Sequence, residues 1–287
     1  MIAAFALLMA VNIVGDVKSA ATSGNLAAAE QMVQAFEAQS GGSTPESLEA
    51  YSWLGRGALA AKKYDAALKY AEETRRRVLA KVKTPARLDD ETRLPIALGA
   101  AIEVQGQVLG SQEGRASGVA YLREELARYK STSIRTRIQK NINLLSLEGK
   151  PAPKITGWVR PANKPVLMFF WAHWCGDCKS MGAVLAEVRQ KYPAITLVTP
   201  TKLFGYAEGG NDAAPAAERA WIAKVRAQFY PMLKDVASPI SDETFAEYGA
   251  STTPTIALAD RGGVVRLYRP GRMTLEELRP YLDKVVN

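Results

Sequence analysis

One histidine and two cysteines in 287 residues leave this chain few routes to metal chemistry. A structural zinc site wants four Cys or His ligands. His173, Cys175 and Cys178 supply three, and no second ligand pair completes the set. Covalent haem attachment needs a histidine directly after the second cysteine, and position 179 is lysine. No metal is expected. A long hydrophobic run is missing too. The longest uncharged apolar stretch, "MIAAFALLMAVNIVG", has 15 residues, against the roughly 20 that span a bilayer. Its length fits the core of an export signal, with "SAA" at 19–21 as a small-residue cleavage site. No Lys or Arg precedes it, so the basic start of a signal is absent. We read residues 1–20 as an export signal or the end of an anchor, and the alternative is a buried helix of the first domain. The expected location is extracytoplasmic, with membrane contact only through such an anchor.

A basic stripe is also lacking. The net charge of +8 is spread evenly: residues 1–147 carry 19 Lys+Arg against 15 Asp+Glu, and the rest 18 against 14. The densest run, Arg75-Arg76-Arg77, follows Glu72 and Glu73 and reads as a solvated helix face. Nucleic acid is not an expected partner.

Two textures are present. Residues 25–146 have helical apolar spacing and good helix formers throughout, as in "YSWLGRGALAAKKYDAALKYAEETRRRVLA". The loop at 40–47 ends in a helix start that can be read in two registers. Ser43-x-x-Glu46 fits a capping box, and Thr44-Pro45 fits an N-cap followed by proline. Leu54-Gly55, then Tyr64, Ala67 and Ala71, resemble a tetratricopeptide repeat, with small residues for close helix approach. Leu26, Ala29 and Val33 form a partial earlier copy. A generic array of helical hairpins explains the pattern equally well.

"LEGKPAPKITGW" (147–158) breaks this texture. After it, "PVLMFFWA" and "AITLVTP" read as buried strands, with helices between and after them. "TPTIALAD" and "VVRLYR" read as a hairpin turning at Gly262-Gly263. A last helix starts at the capping box Thr274-x-x-Glu277, and Pro280 should disturb its first turns. The boundaries are therefore 1–147 for an all-α domain of helical hairpins, tetratricopeptide-like, and 148–287 for an α/β sandwich, a mixed sheet flanked by helices.

The two cysteines stand three apart in "FFWAHWCGDCK", where a buried strand gives way to a helix. That places Cys175 at a helix N-terminus, where unpaired N–H groups favour a thiolate. Such a thiolate attacks a disulfide, and Cys178, one turn on, resolves the product. A structural disulfide is the competing reading. It would close only a tiny loop, constrain the unfolded chain little and leave the aromatic surround unexplained. Trp171 reads as core and Trp174 as part of an exposed substrate platform. His173 reads as solvent-facing, although an imidazolium there would lower the pKa of Cys175. Asp177, between the cysteines, would tune that pKa upward.

These residues resemble the active-site stretch of thioredoxin-fold proteins, with their Trp-Cys-x-x-Cys-Lys arrangement. "STTPT" (251–255) resembles that fold's second signature, and "GKPAPKITGW" the entry strand of its TlpA-like branch of exported thiol reductases. The resemblance covers residues 149–287. It implies a cis Pro254 beside the reactive cysteine, with the Thr253 backbone offered to an extended substrate. It also implies that a Cys175–Cys178 disulfide is the redox centre and that no other cofactor is needed. Three positions depart from the pattern. Phe169 replaces a buried carboxylate, Met181 replaces an acid found in some relatives, and Asp177 stands where proline is common. No general base for Cys178 is identified, and residues 204–229 are an insertion that either shapes a substrate groove or is a tolerated surface loop.

The function expected is a thiol–disulfide oxidoreductase that reduces protein disulfides. Its partners would be disulfide-containing substrates, an upstream electron donor and a protein docked on the helical domain. The alternative is a non-enzymatic scaffold whose thioredoxin-like domain carries an inert disulfide.

Overall fold

The computed structural model describes residues 12–286. They divide between Ile138 and Gln139 into two compact units. The first is helical: α1 (Ile13–Thr22), α2 (Leu26–Gln39), α3 (Pro45–Ala60), α4 (Tyr64–Lys81), α5 (Arg93–Gln112) and α6 (Arg115–Arg128), with the division falling inside α7 (Arg135–Ser146). At the 40–47 loop the proline register wins. Thr44 caps α3 with Pro45 in its first turn, and Ser47 rather than Glu46 returns the second bond. Gly55 faces α4, but a Cβ there would sit 3.5 Å from the Ala67 carbonyl oxygen, an ordinary contact; the tight approach is at Gly57.

That close approach explains residues 19–21, read above as a cleavage site. They lie inside α1, where Ala21 is buried and a Cβ on Gly57 would fall 2.5 Å from its carbonyl oxygen. Residues 13–21 thus match the buried-helix alternative, and residues 1–11 of the apolar run lie outside the described residues. The arginine run needs correction as well. Arg75 bonds the buried Glu125 of α6 at 2.9 Å, and Arg77 pairs with Glu37 of α2; only Arg76 is a solvated residue. Three consecutive positions on a helix point in three directions, so a run of like charge is not one face.

The second unit contains β1 (Val166–Phe170), α8 (Gly176–Ser180), α9 (Gly182–Lys191), β2 (Thr196–Val198), α10 (Pro215–Phe229), α11 (Asp242–Glu247), β3 (Thr255–Ala259), β4 (Val265–Pro270) and α12 (Leu275–Val286). The sheet order is β2-β1-β3-β4. The β1–β2 pair is parallel and the other two pairs are antiparallel. Alternate residues of β1 feed two cores, because strand side chains alternate between faces. Leu167 and Phe169 join the helices α9, α10 and α12 on one face. Val166, Met168 and Phe170 meet Phe245 and Tyr248 on the other. This is the thioredoxin-like sandwich expected of the mixed sheet.

One boundary and one helix differ from the reading of the sequence. The structure divides at 138 rather than 147, because the end of α7 packs on the second unit. The Asn143 side chain donates to the Glu247 carbonyl at 3.1 Å. Gly249, at φ +58°, lies so close to Lys140 that an added Cβ would come within 2.2 Å of its backbone nitrogen. Pro280 does not disturb α12, which runs unbroken through it. Proline removes one backbone donor, and burial of Leu278, Leu282 and Val285 along one face outweighs that loss.

Candidate active site

The chain leaves β1 at Phe170 and continues through Trp171, whose indole N–H donates to the Thr199 carbonyl at 3.0 Å. Trp171 is core, as expected. The backbone then turns, with the Cys175 amide bonding the Ala172 carbonyl at 3.1 Å, and α8 begins. Cys175 is the N-cap of α8 in extended conformation. The role usually filled by a side-chain oxygen at this position falls to sulfur: Cys175 Sγ accepts the Cys178 N–H at 3.0 Å. The two cysteines form a disulfide, with Cα atoms 5.2 Å apart. Cys175 is 4% exposed and Cys178 is fully buried.

The second signature meets the first here. The Thr253–Pro254 peptide is cis. The Thr253 carbonyl oxygen lies 3.4 Å from Cys175 Sγ, within reach of a thiol proton in the reduced state. Thr253 itself is part-exposed, while Thr255 enters β3. Trp174 is 49% exposed, so of the two tryptophans it is the one at the surface. The structure therefore brings together Trp174, Cys175, Cys178, Thr253 and Pro254. Asp177 stands at the edge. Its side chain is 65% exposed and lies 4.0 Å from the Arg272 guanidinium.

His173 was expected in solvent and is 1% exposed instead. Its Nε2 lies 3.1 Å from Glu218 Oε1, and its ring meets Phe204 and Tyr206 edge-on at 5.6 and 5.4 Å. Glu218, Phe204 and Tyr206 all come from the 204–229 insertion, which folds over the active-site turn. The insertion buries the histidine. Tyr230 was also missed. Its ring packs on Trp171 and Phe169, and its hydroxyl is buried with no hydrogen-bond partner. Burial raises the tyrosine's pKa well above its ordinary value.

Phe169 projects onto the same face of the sheet as the cysteines, within an apolar cluster that includes Cys178 and Met181. Among the described residues no group of three or more His, Cys, Asp or Glu is placed to hold a metal. A cleft of about 840 Å³ lies between residues 152–160 and the side chains of Glu243, Glu247 and Tyr248. It is lined by Val166 and Met168 of the opposite sheet face and contains none of the cysteine-site residues.

Residues 153–286 match the family described as the thioredoxin-like domain. Thioredoxin of Acidithiobacillus ferridurans is 47% identical over 34 residues, which is 12% of this chain and 32% of that protein. Thioredoxin of Mycobacterium tuberculosis is 57% identical over 30 residues, 10% of this chain and 26% of that protein. The chain thus spans about a third of the length of the curated relatives it matches. Among solved structures, a secreted Mycobacterium tuberculosis disulfide oxidoreductase is similar at 19% identity and a TM-score of 0.32. That match covers 43% of this chain and 83% of the other.

Proposed function

Starting from residues 153–286 as a thioredoxin-like domain, we propose that the chain is a thiol–disulfide oxidoreductase that reduces protein disulfides at Cys175 and Cys178. The observation that carries this reading is the asymmetry of the pair. Cys175 Sγ sits at the helix start, bonded by the Cys178 amide and facing the Thr253 carbonyl, while Cys178 lies behind it with no exposed surface. A disulfide kept only for stability has no use for such an arrangement.

In the reduced enzyme the Cys175 thiolate attacks one sulfur of a substrate disulfide. A bond forms between Cys175 and that sulfur, and the other substrate sulfur leaves as a thiolate. The Cys178 thiolate then attacks Cys175 Sγ, which restores the enzyme disulfide and releases the second substrate thiolate. The two electrons gained by the substrate come from the two cysteines, and both released thiolates take protons from solvent. A dithiol donor must return two electrons before the next turnover. The N–H of Cys178 stabilises the attacking sulfur as an anion, as hydrogen bonds to a charged form do. The enzyme disulfide is itself the electron carrier, and no other cofactor enters the scheme.

Thr253 and Pro254 would hold an extended substrate segment beside Cys175 by its backbone, with Trp174 as the apolar platform. The helical unit, with its tetratricopeptide-like spacing, would dock a protein partner. Location outside the cytoplasm rests on residues 1–11 of the apolar run alone, because residues 13–15 belong to α1. No helix among the described residues is long and apolar enough to cross a membrane. The test is catalytic reduction of a protein disulfide with dithiothreitol as donor. Turnover above the uncatalysed rate is expected from the wild type and none from Cys175→Ala, and equal rates from the two would refute the assignment.

A further inference from the structure

The insertion contains a buried acid that the exchange chemistry does not use. Glu218 lies in the first turn of α10 and is 1% exposed. A carboxylate withdrawn from water is strongly penalised unless donors replace the water. Here three do. Glu218 Oε1 accepts the Phe204 N–H at 2.5 Å and faces His173 Nε2 at 3.1 Å, and Oε2 accepts the Gly205 N–H at 2.8 Å. The helix does not need this acid to dock, because Ile222 and Val225 already anchor it in the core. What Glu218 holds is the loop at 204–206 and the residue two before Cys175.

Those held groups are rings. Phe204 is the hub, edge-on to His173 and to Trp174, each at 5.6 Å between centroids. It also contacts Tyr206 at 6.2 Å, and Phe245 in the opposite core at 6.3 Å. Trp174, half exposed beside the attacking sulfur, is therefore backed by an aromatic wall that Glu218 pins in place. Phe204 and Tyr206 both retain part of their surface.

We propose that Glu218 is a positioning residue that fixes the wall of Trp174, Phe204 and Tyr206, and that this wall selects substrates. The class selected is an extended polypeptide disulfide with a large apolar side chain, aromatic above all, next to the attacked cysteine. This inference rests on the oxidoreductase reading above. A segment paired along Thr253 sends alternate side chains sideways, and one beside the cysteine meets Trp174 and Phe204. Stacking on fixed aromatic rings adds to burial of the side chain, and together they give a preference of about tenfold over a serine at that position.

The test uses the full chain and two synthetic peptides that differ only in Phe or Ser before a single cysteine. Each cysteine is joined to glutathione, and dithiothreitol is the donor. The readout is the ratio of kcat/KM for the two peptides, which does not depend on how much of a preparation is folded. A merely structural role would leave it unchanged. We expect a ratio of about ten for the wild type. In Glu218→Gln one side-chain N–H must face another donor, which releases the loop, and the ratio should fall towards one. Phe204→Ala removes the hub ring, keeps the Glu218 carboxylate and should give the same fall. A wild-type ratio near one, or variants that keep the wild-type ratio, would overturn the proposal while turnover upheld the oxidoreductase reading. No turnover of either peptide while the wild type still reduces a protein disulfide would overturn the proposal alone, and loss of both activities would overturn the oxidoreductase reading as well.

Discussion

The backbone amide of Cys178 points at the sulfur of Cys175 from 3.0 Å, so in the proposed scheme the resolving residue would also stabilise the attacking one. The bond uses backbone, not side chain, and survives loss of the Cys178 thiol. Cys178→Ala should therefore keep an activated Cys175 and be unable to release its product. Covalent complexes with substrate proteins are expected to accumulate in that variant and to be absent in Cys175→Ala. Non-reducing gel electrophoresis after an acid quench distinguishes the two. Comparable trapping by both would mean that the roles are misassigned.

The end of α7 belongs with the sheet rather than with the helices before it. A fragment of 148–287 keeps every strand but loses Leu147 from the core and the Asn143 bond to Glu247. A fragment of 139–287 retains both. One buried leucine and one hydrogen bond are together worth about 2–4 kcal/mol. The longer fragment should unfold at a clearly higher urea concentration with a similar slope. Coincident midpoints would show that the α7 contacts contribute nothing.

Tyr230 fills the apolar space beside Phe169 and Trp171 with a ring whose hydroxyl finds no partner. An unpaired buried hydroxyl costs about 1–3 kcal/mol. Tyr230→Phe keeps the ring and deletes the penalty, so it is expected to raise stability by about 1 kcal/mol in urea unfolding. A loss of stability would mean that the hydroxyl is hydrogen-bonded.

Much of this was legible in the sequence because the signals were local. The continuous apolar run "VLMFF", buried at all five positions, Cys-x-x-Cys after a strand, and Thr274 with Glu277 each depend on neighbours within a few residues. The Thr274 cap forms as read, with the Glu277 carboxylate accepting the Thr274 N–H at 2.7 Å. His173 failed because its burial depends on Phe204, Tyr206 and Glu218, which the chain reaches only after β2. Even so, one clue was available. Glu218, Ile222 and Val225 lie four and then three residues apart, so the acid shares the apolar face of α10. An acid on the buried face of a helix signals a partner elsewhere in the chain. The arginine run misled for the opposite reason, since its neighbours in sequence said nothing of Glu37 and Glu125.

Asp177 is the remaining electrostatic lever. Its negative charge, one residue before Cys178, disfavours a nearby thiolate, so replacing it should lower the Cys175 pKa. A more stable thiolate stabilises the reduced form, and the pair should then become more oxidising. The structure limits the size of both effects. The Asp177 side chain is 65% exposed, and Arg272 at 4.0 Å offsets part of its field. Solvent and salt screen what remains. Asp177→Asn is therefore expected to shift the potential upward by less than about 30 mV, which is under tenfold in the exchange constant. Raising the salt from about 0.01 M to 1 M shortens the Debye length from about 30 to 3 Å and should shrink the difference. Arg272→Gln should act in the opposite direction by leaving Asp177 unopposed. Glutathione titrations of the three proteins at both salt concentrations decide the matter. A shift of the wrong sign in Asp177→Asn, or one insensitive to salt, would show that Asp177 does not act on Cys175 through its charge.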